Sequence, residues 1–109
     1  MHELAITQSI VDMVSERVPD GRVVAVHLTI GRISGVLPDA VRFCFDAVAA
    51  GTPAEGAALT ITEPPGRGRC RTCGRESGFD AGPAICACGA ADVEVLGGAE
   101  LIVTALELA

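Results

Sequence analysis

The chain has 109 residues, half of them apolar but only 3% aromatic, so its core must be built from Val, Leu, Ile and Ala within one domain, or one domain plus a small satellite. A net charge of −6, with eight Arg and no Lys, argues against nucleic acid or an anionic membrane as partner. No apolar run approaches the roughly 18 residues of a membrane span and no basic-then-apolar leader opens the chain, so a soluble, cytoplasmic protein is expected.

Residues 3–18 carry Ile6, Ile10, Met13, Val14 and Val18 at three- and four-residue intervals, with Asp12, Ser15 and Glu16 opposite, which predicts an amphipathic helix. The turn "PDG" at 19–21 stops it. In "RVVAVHLTI" at 22–30, Val24, Val26, Leu28 and Ile30 alternate with Val23, Ala25, His27 and Thr29, so a strand with its even positions inward is expected. His27 then lies on the opposite face, solvated or hydrogen-bonded at the surface. After the loop "GRISGVLPDA", Pro38 and Asp39 open a second helix whose Val41, Cys44, Phe45 and Val48 share one face. Cys44, between Phe43 and Phe45, reads as a small core residue.

"AGTPAEG" breaks that helix at 50–56, "AALTITE" is a short strand, and "PPG" at 64–66 ends it. "AELIVTALELA" at 99–109 is a final strand whose imperfect alternation leaves its buried face open. The order α-β-α-β, insert, β predicts an α+β fold: a small mixed sheet with two helices, formed by 1–63 and 99–109, interrupted by a loop-rich module at 64–98.

That module holds four of the five cysteines, in "CRTCG" at 70–74 and "CACG" at 86–89. An odd count fits a disulfide framework poorly, whereas clustered thiols in a polar, Gly-rich stretch suit a metal. Cys70 and Cys73 have zinc-knuckle spacing, and twelve residues separate Cys73 from Cys86, a normal ribbon gap. Cys86 and Cys88 have one residue between them where two are usual, which requires a different backbone geometry. A structural Zn(II) on Cys70, Cys73, Cys86 and Cys88 is expected, a rubredoxin-like iron being the other metal for such a set. Sulfur at all four positions leaves no place for water or substrate. Arg67, Arg69, Arg71 and Arg75 are expected to offset the formal charge of about −2 on such a centre.

"MHELAI" places a histidine at residue 2 and a glutamate at residue 3. Termini usually fray and carry nothing, which is one reading. The other starts from a helix beginning near residue 3, whose first N–H groups have no intrahelical partner. The amine of Met1, the backbone nitrogen of His2 and its imidazole Nδ1 can then chelate one ion, in a nitrogen-rich geometry suited to Ni(II) or Cu(II). Glu3 would add an oxygen or orient the site.

"MHELAITQSIVDMV", the stretch "IGRISGVLPDAVRFCFDAVAAGTPAEGAALTITEPPGRGRCRTCG" and the closing "CGAADVEVLGGAELIV" together resemble the HypA/HybF family of hydrogenase nickel-incorporation proteins over nearly the whole chain. The resemblance implies a nickel site at Met1, His2 and Glu3, with His2 essential. It also implies a structural zinc on Cys70, Cys73, Cys86 and Cys88, held by a separate ribbon. The implied activity is that of a nickel metallochaperone, acting with a nickel-handling GTPase to load the large subunit of [NiFe]-hydrogenase. One departure is that the family usually shows two CxxC pairs, where this chain has Cys86-Ala87-Cys88.

No phosphate loop or catalytic Ser-His-Asp or Cys-His set stands out, so a maturation factor is expected and an enzyme is not. A homodimer is compatible with this reading. The alternatives are a zinc-ribbon adaptor between proteins, without a second metal, and an iron-sulfur-type electron carrier, which would absorb visible light.

Overall fold

A computed structural model describes residues 2–80 and 84–109. Two helices and six strands follow in the order α1 (Glu3–Arg17), β1 (Val23–Ile30), α2 (Pro38–Ala49), β2 (Ala58–Thr62), β3 (Gly66–Cys70), β4 (Glu76–Phe79), β5 (Val93–Gly97) and β6 (Leu101–Leu108). They build two three-stranded sheets, ordered β2-β1-β6 and β4-β3-β5. β1 runs parallel to β2 and antiparallel to β6, so the first sheet is mixed. The second is antiparallel throughout and lies within the cysteine-rich insert. The α+β class expected from the sequence is the one observed.

The core lies between the first sheet and its helices. Ile10, Val11 and Val14 of α1, Val41, Phe45 and Ala49 of α2, and Val23, Val26, Leu28 and Ile30 of β1 are its main buried members. The apolar spacing of α1 extends to Val11, and Thr7 is buried beside it with its hydroxyl donating to the Glu3 carbonyl at 2.7 Å. That bond removes the cost of burying a hydroxyl in an aliphatic core.

Two expectations need correction. Val24 does not point inward: it is 47% exposed, while Val23 is 1% exposed. The pairing with β6 shifts register between Val23 and Ala25, and the extra residue of such a bulge turns the strand's phase over. The even-inward pattern holds for Val26, Leu28 and Ile30. Cys44 is half-buried and lies outside the buried core cluster, although Val41 and Phe45 of its helix are within it. His27 is on the uncovered sheet face, where its Nε2 lies 2.6 Å from Glu107 Oε2.

Backbone contacts join the two sheets. Gly31 N–H donates to Glu100 O at 2.8 Å, Arg32 N–H to Pro64 O at 2.9 Å and Ile33 N–H to Gly98 O at 2.9 Å. Glycines make this approach feasible, since a Cβ on Gly31 would collide with the Gly98 carbonyl. Gly98 itself has φ +92°, a conformation that L side chains rarely adopt. An ion pair of 3.1 Å between Arg32 and Asp80 ties the β1–α2 loop to the end of β4. Among the described residues, no helix is long and apolar enough to cross a membrane.

Candidate metal centres

β3 reads Gly66-Arg67-Gly68-Arg69-Cys70, with glycines and the cysteine buried and the arginines exposed. The small residues are required on that face. A Cβ on Gly68 would stand 3.1 Å from the Phe79 ring and clash with Val93. The strand delivers Cys70 to a tight turn in which Gly74 N–H donates to Cys70 O at 2.8 Å and Cys73 N–H donates to Cys70 Sγ at 3.4 Å.

The second pair uses a turn one residue shorter. Gly89 N–H donates to Cys86 O at 2.8 Å, so the ring closes over three residues, where the first closes over four. Gly74 at φ +75° and Gly89 at φ +91° end the two turns alike. The Cys-Ala-Cys-Gly spacing is thereby accommodated. The missing residue comes out of the turn and both sulfurs remain on its inner side.

All four Sγ atoms lie within 4.8 Å of one another. Cys70 and Cys88 sulfurs are 3.7 Å apart, and those of Cys73 and Cys86 are 3.5 Å apart. A tetrahedron with Zn–S bonds of about 2.3 Å has edges of about 3.8 Å, so the quartet fits a Zn(II) ion closely. Chemistry agrees with geometry. The Cys70 thiol is pushed down to about 6, chiefly because the Cys73 backbone N–H donates to its sulfur, so it favours the thiolate form that ligates metal. Cys70 and Cys86 are buried, Cys73 and Cys88 exposed.

Three of the four arginines, Arg67, Arg69 and Arg71, do not act as expected. Arg67 and Arg69 reach Glu76 at 3.3 and 3.4 Å, and Arg71 reaches Asp92 at 2.8 Å and Glu94 at 4.0 Å. These pairs cross between neighbouring strands on the ribbon's outer surface. Their charge is matched by carboxylates, and the backbone N–H groups of the turn are what face sulfur. The signal for this was present in the acidic residues that follow each cysteine pair.

At the other end of the chain, Met1 lies outside the described residues. His2 is exposed and is the N-cap of α1, with φ −91° and ψ 85°, and its carbonyl accepts the first helical bond from Ile6 at 3.1 Å. Its own N–H precedes the helical ladder. Glu3 does not extend into solvent: its Oε2 accepts the Leu37 N–H at 3.0 Å, across 34 residues of sequence. That bond is the main reason the Glu3 carboxyl sits below its ordinary range. Leu37, the N-cap of α2, has no side-chain oxygen, and Glu3 accepts its backbone N–H as the carboxylate of a capping box does. No sequence periodicity marks Leu37 as its partner. Among the described residues the cysteine quartet is the one group of three or more metal-ligating side chains brought together. His2 and Glu3 are neighbours, and no third such side chain joins them.

The fold is that of a solved Ni metallochaperone from Helicobacter pylori, with a TM-score of 0.71 at 20% identity, covering 99% of this chain and 97% of that one. A hydrogenase maturation factor HypA from Nostoc punctiforme is 46% identical over 99% of the chain and 96% of its own length. One from Geobacter metallireducens is 47% identical over 99% of both. A family model described as "Hydrogenase/urease nickel incorporation, metallochaperone, hypA" matches residues 1–108. The chain belongs to the HypA family of nickel-incorporation metallochaperones, whose name describes a maturation factor and not a catalyst.

Proposed function

We propose that this protein carries Ni(II) as cargo on its N-terminal arm and helps to insert it into the large subunit of a [NiFe]-hydrogenase, working in the cytoplasm with a nickel-handling GTPase. The observation that carries this reading is the state of His2. Its imidazole is exposed, its N–H lies ahead of the helical ladder, and among the described residues no cluster of metal-ligating side chains includes it. A carrier needs a site from which its ion can leave, and nitrogens on an open arm meet that need. The imidazole and backbone nitrogen of His2, with the Met1 amine, are the donors in this reading. Glu3, already bonded to Leu37, orients the arm and leaves ligation to the nitrogens.

In the same reading Cys70, Cys73, Cys86 and Cys88 hold a structural Zn(II), which organises the insert and supplies no chemistry to the cargo. Residues 64–98 then form a zinc-ribbon domain, and 1–63 with 99–109 a nickel-binding domain. Metal analysis and nickel titration of the chain beside His2→Ala test the proposal. One zinc in both, with nickel bound only by the parent chain, is the expected result. Absence of nickel binding in the parent would leave a zinc-ribbon adaptor.

A further inference from the structure

Within the cysteine quartet, two sulfur–sulfur contacts run across the ribbon from one turn to the other: Cys70 to Cys88 at 3.7 Å and Cys73 to Cys86 at 3.5 Å. Burial divides the same pairs. Cys88 and Cys73 are exposed and Cys70 and Cys86 are buried, so each contact joins a sulfur that a solute can reach to one that it cannot. An exposed thiolate beside a second sulfur is the arrangement in which oxidation stops at a disulfide, because the neighbour intercepts the first product before it is oxidised further. Each contact is about 1.5 Å longer than a disulfide bond of about 2.0 Å, so a small side-chain rotation closes it.

The shortened second turn narrows the ways in which these sulfurs can pair. A bond between Cys86 and Cys88 would close a ring through Ala87 alone, with strain in the disulfide torsion. A bond between Cys70 and Cys73 would then leave Cys86 and Cys88 as thiols with no relaxed partner. Closure across the ribbon uses all four sulfurs and joins the same two turns that a tetrahedral metal would join. Cys44, on α2, lies outside the quartet.

We propose that the quartet is a reversible oxidation site for hydroperoxides, which close Cys70–Cys88 and Cys73–Cys86 as two disulfides in place of the metal. The inference rests on the structural Zn(II) reading above for what is released, but not for which sulfurs join. In each pair the exposed thiolate attacks the peroxide: an S–O bond forms, the O–O bond breaks, and the departing oxygen takes a proton. The buried thiolate then attacks the sulfenic sulfur, so an S–S bond forms, the S–O bond breaks and hydroxide leaves and is protonated. With hydrogen peroxide, each disulfide consumes one peroxide and two protons and yields two waters, the sulfurs being oxidised and the peroxide oxygens reduced. Metal ligation needs the thiolate form, so two such closures release the ion. The crosslinks tie the end of β3 to the second turn as the metal did, and the ribbon keeps its shape.

Hydrogen peroxide added to the zinc-loaded full chain tests this, with zinc followed by a chromogenic chelator and crosslinks mapped after digestion without reductant. Trypsin cuts after Arg71, between Cys70 and Cys73, and no Lys or Arg follows Arg75, so Cys86 and Cys88 share the fragment 76–109. About two equivalents of peroxide should release one zinc per chain. The Cys70 and Cys73 peptides should both be joined to fragment 76–109, with Cys44 left as a thiol. Fragmentation between Cys86 and Cys88 should give the pairs named. Amide exchange across Gly66–Cys70 should stay slower in the oxidised, zinc-free chain than in the reduced, zinc-free one, and a thiol reductant with Zn(II) should restore the starting protein. A Cys70–Cys73 crosslink, sulfinic acid on Cys73 or Cys88 without a crosslink, or crosslinks between chains would overturn the proposal. So would zinc retained at about a hundredfold excess of peroxide. A chain purified without zinc would count against the structural-zinc reading alone, since the crosslink map still decides the pairing.

Discussion

The Glu3 carboxylate accepts the backbone N–H of Leu37 at 3.0 Å, so the first turn of α1 caps the first turn of α2. The bond ties Glu3, the first residue of α1, to the start of α2. Because it holds the Glu3 carboxyl below its ordinary value of 4.5, its contribution to stability is fully present above pH 4.5. It is lost as the pH falls through the lower folded-state value. The Leu37 amide resonance should titrate with a midpoint below 4.5, and in Glu3→Gln that titration should vanish. Nickel affinity in Glu3→Gln should fall about tenfold, as for a group that orients a ligand, and by less than in His2→Ala. Equal losses would make Glu3 a ligand.

Phe43 and Phe45 differ more than their positions suggest. Phe45 is 2% exposed in the core and Phe43 is 87% exposed. Phe45→Ala should cost about 3–5 kcal/mol, which approaches the whole stability of a small domain. Phe43→Ala should stay within about 0.5 kcal/mol. Urea unfolding of the two variants measures both.

How far the sequence was legible depends on which force ordered each segment. α1, β1 and α2 bury aliphatic stripes, and hydrophobic periodicity reveals such elements directly. β3 escaped notice because Gly66, Arg67, Gly68 and Arg69 carry no β-branched or aromatic residue. Its order comes from close strand approach and from ion pairs to Glu76, and only the period-two alternation of Gly and Arg hinted at a strand. The inversion at Val24 rests on a bulge, a pairing defect that one strand's sequence does not encode. The cysteine quartet was readable from spacing alone, whereas the Glu3–Leu37 bond depends on tertiary approach and was not.

Adjacent glycines at the junction should respond in opposite ways. A Cβ on Gly97 meets nothing within 4 Å, so Gly97→Ala should be neutral or slightly stabilising. Gly98 has φ +92°, and a Cβ there would collide with Gly66 and stand 2.6 Å from Pro65 O, a backbone atom that cannot rotate away. Gly98→Ala should cost about 3 kcal/mol from overpacking and left-handed strain together. Amide exchange at Ile33, which donates to Gly98 O, should accelerate in that variant alone.

Removing zinc, or substituting Cys70→Ser or Cys88→Ser, should loosen β3, β4 and β5 while β1 and its helices stay folded. Among the described residues the ribbon buries only glycines and two cysteines, so a bound metal would supply most of its order. Hydrogen exchange measures this by segment. Slow exchange across Gly66–Cys70 and Val93–Gly97 after zinc removal would show that the ion pairs and strand ladder suffice without metal.

Placing one glycine ahead of Met1 provides the sharpest test of the nickel arm. The addition turns the Met1 amine into an amide and moves the new amine out of chelating distance of the His2 imidazole. A site built only from side chains would be unaffected, since His2 and Glu3 remain. With the Met1 amine as a donor, tight nickel binding should be lost, by about a hundredfold or more. Proton release offers a second readout, because neutral imidazole and amine must both be present for ligation. Binding by the chain starting at Met1 should release more than one proton per metal in titrations run in buffers of different ionisation heat. The extended chain should keep its zinc, and its melting temperature should hardly move, since an exposed terminus contributes little to stability. Equal nickel affinities for the two chains would exclude the Met1 amine and leave the His2 side chain as the donor to explain.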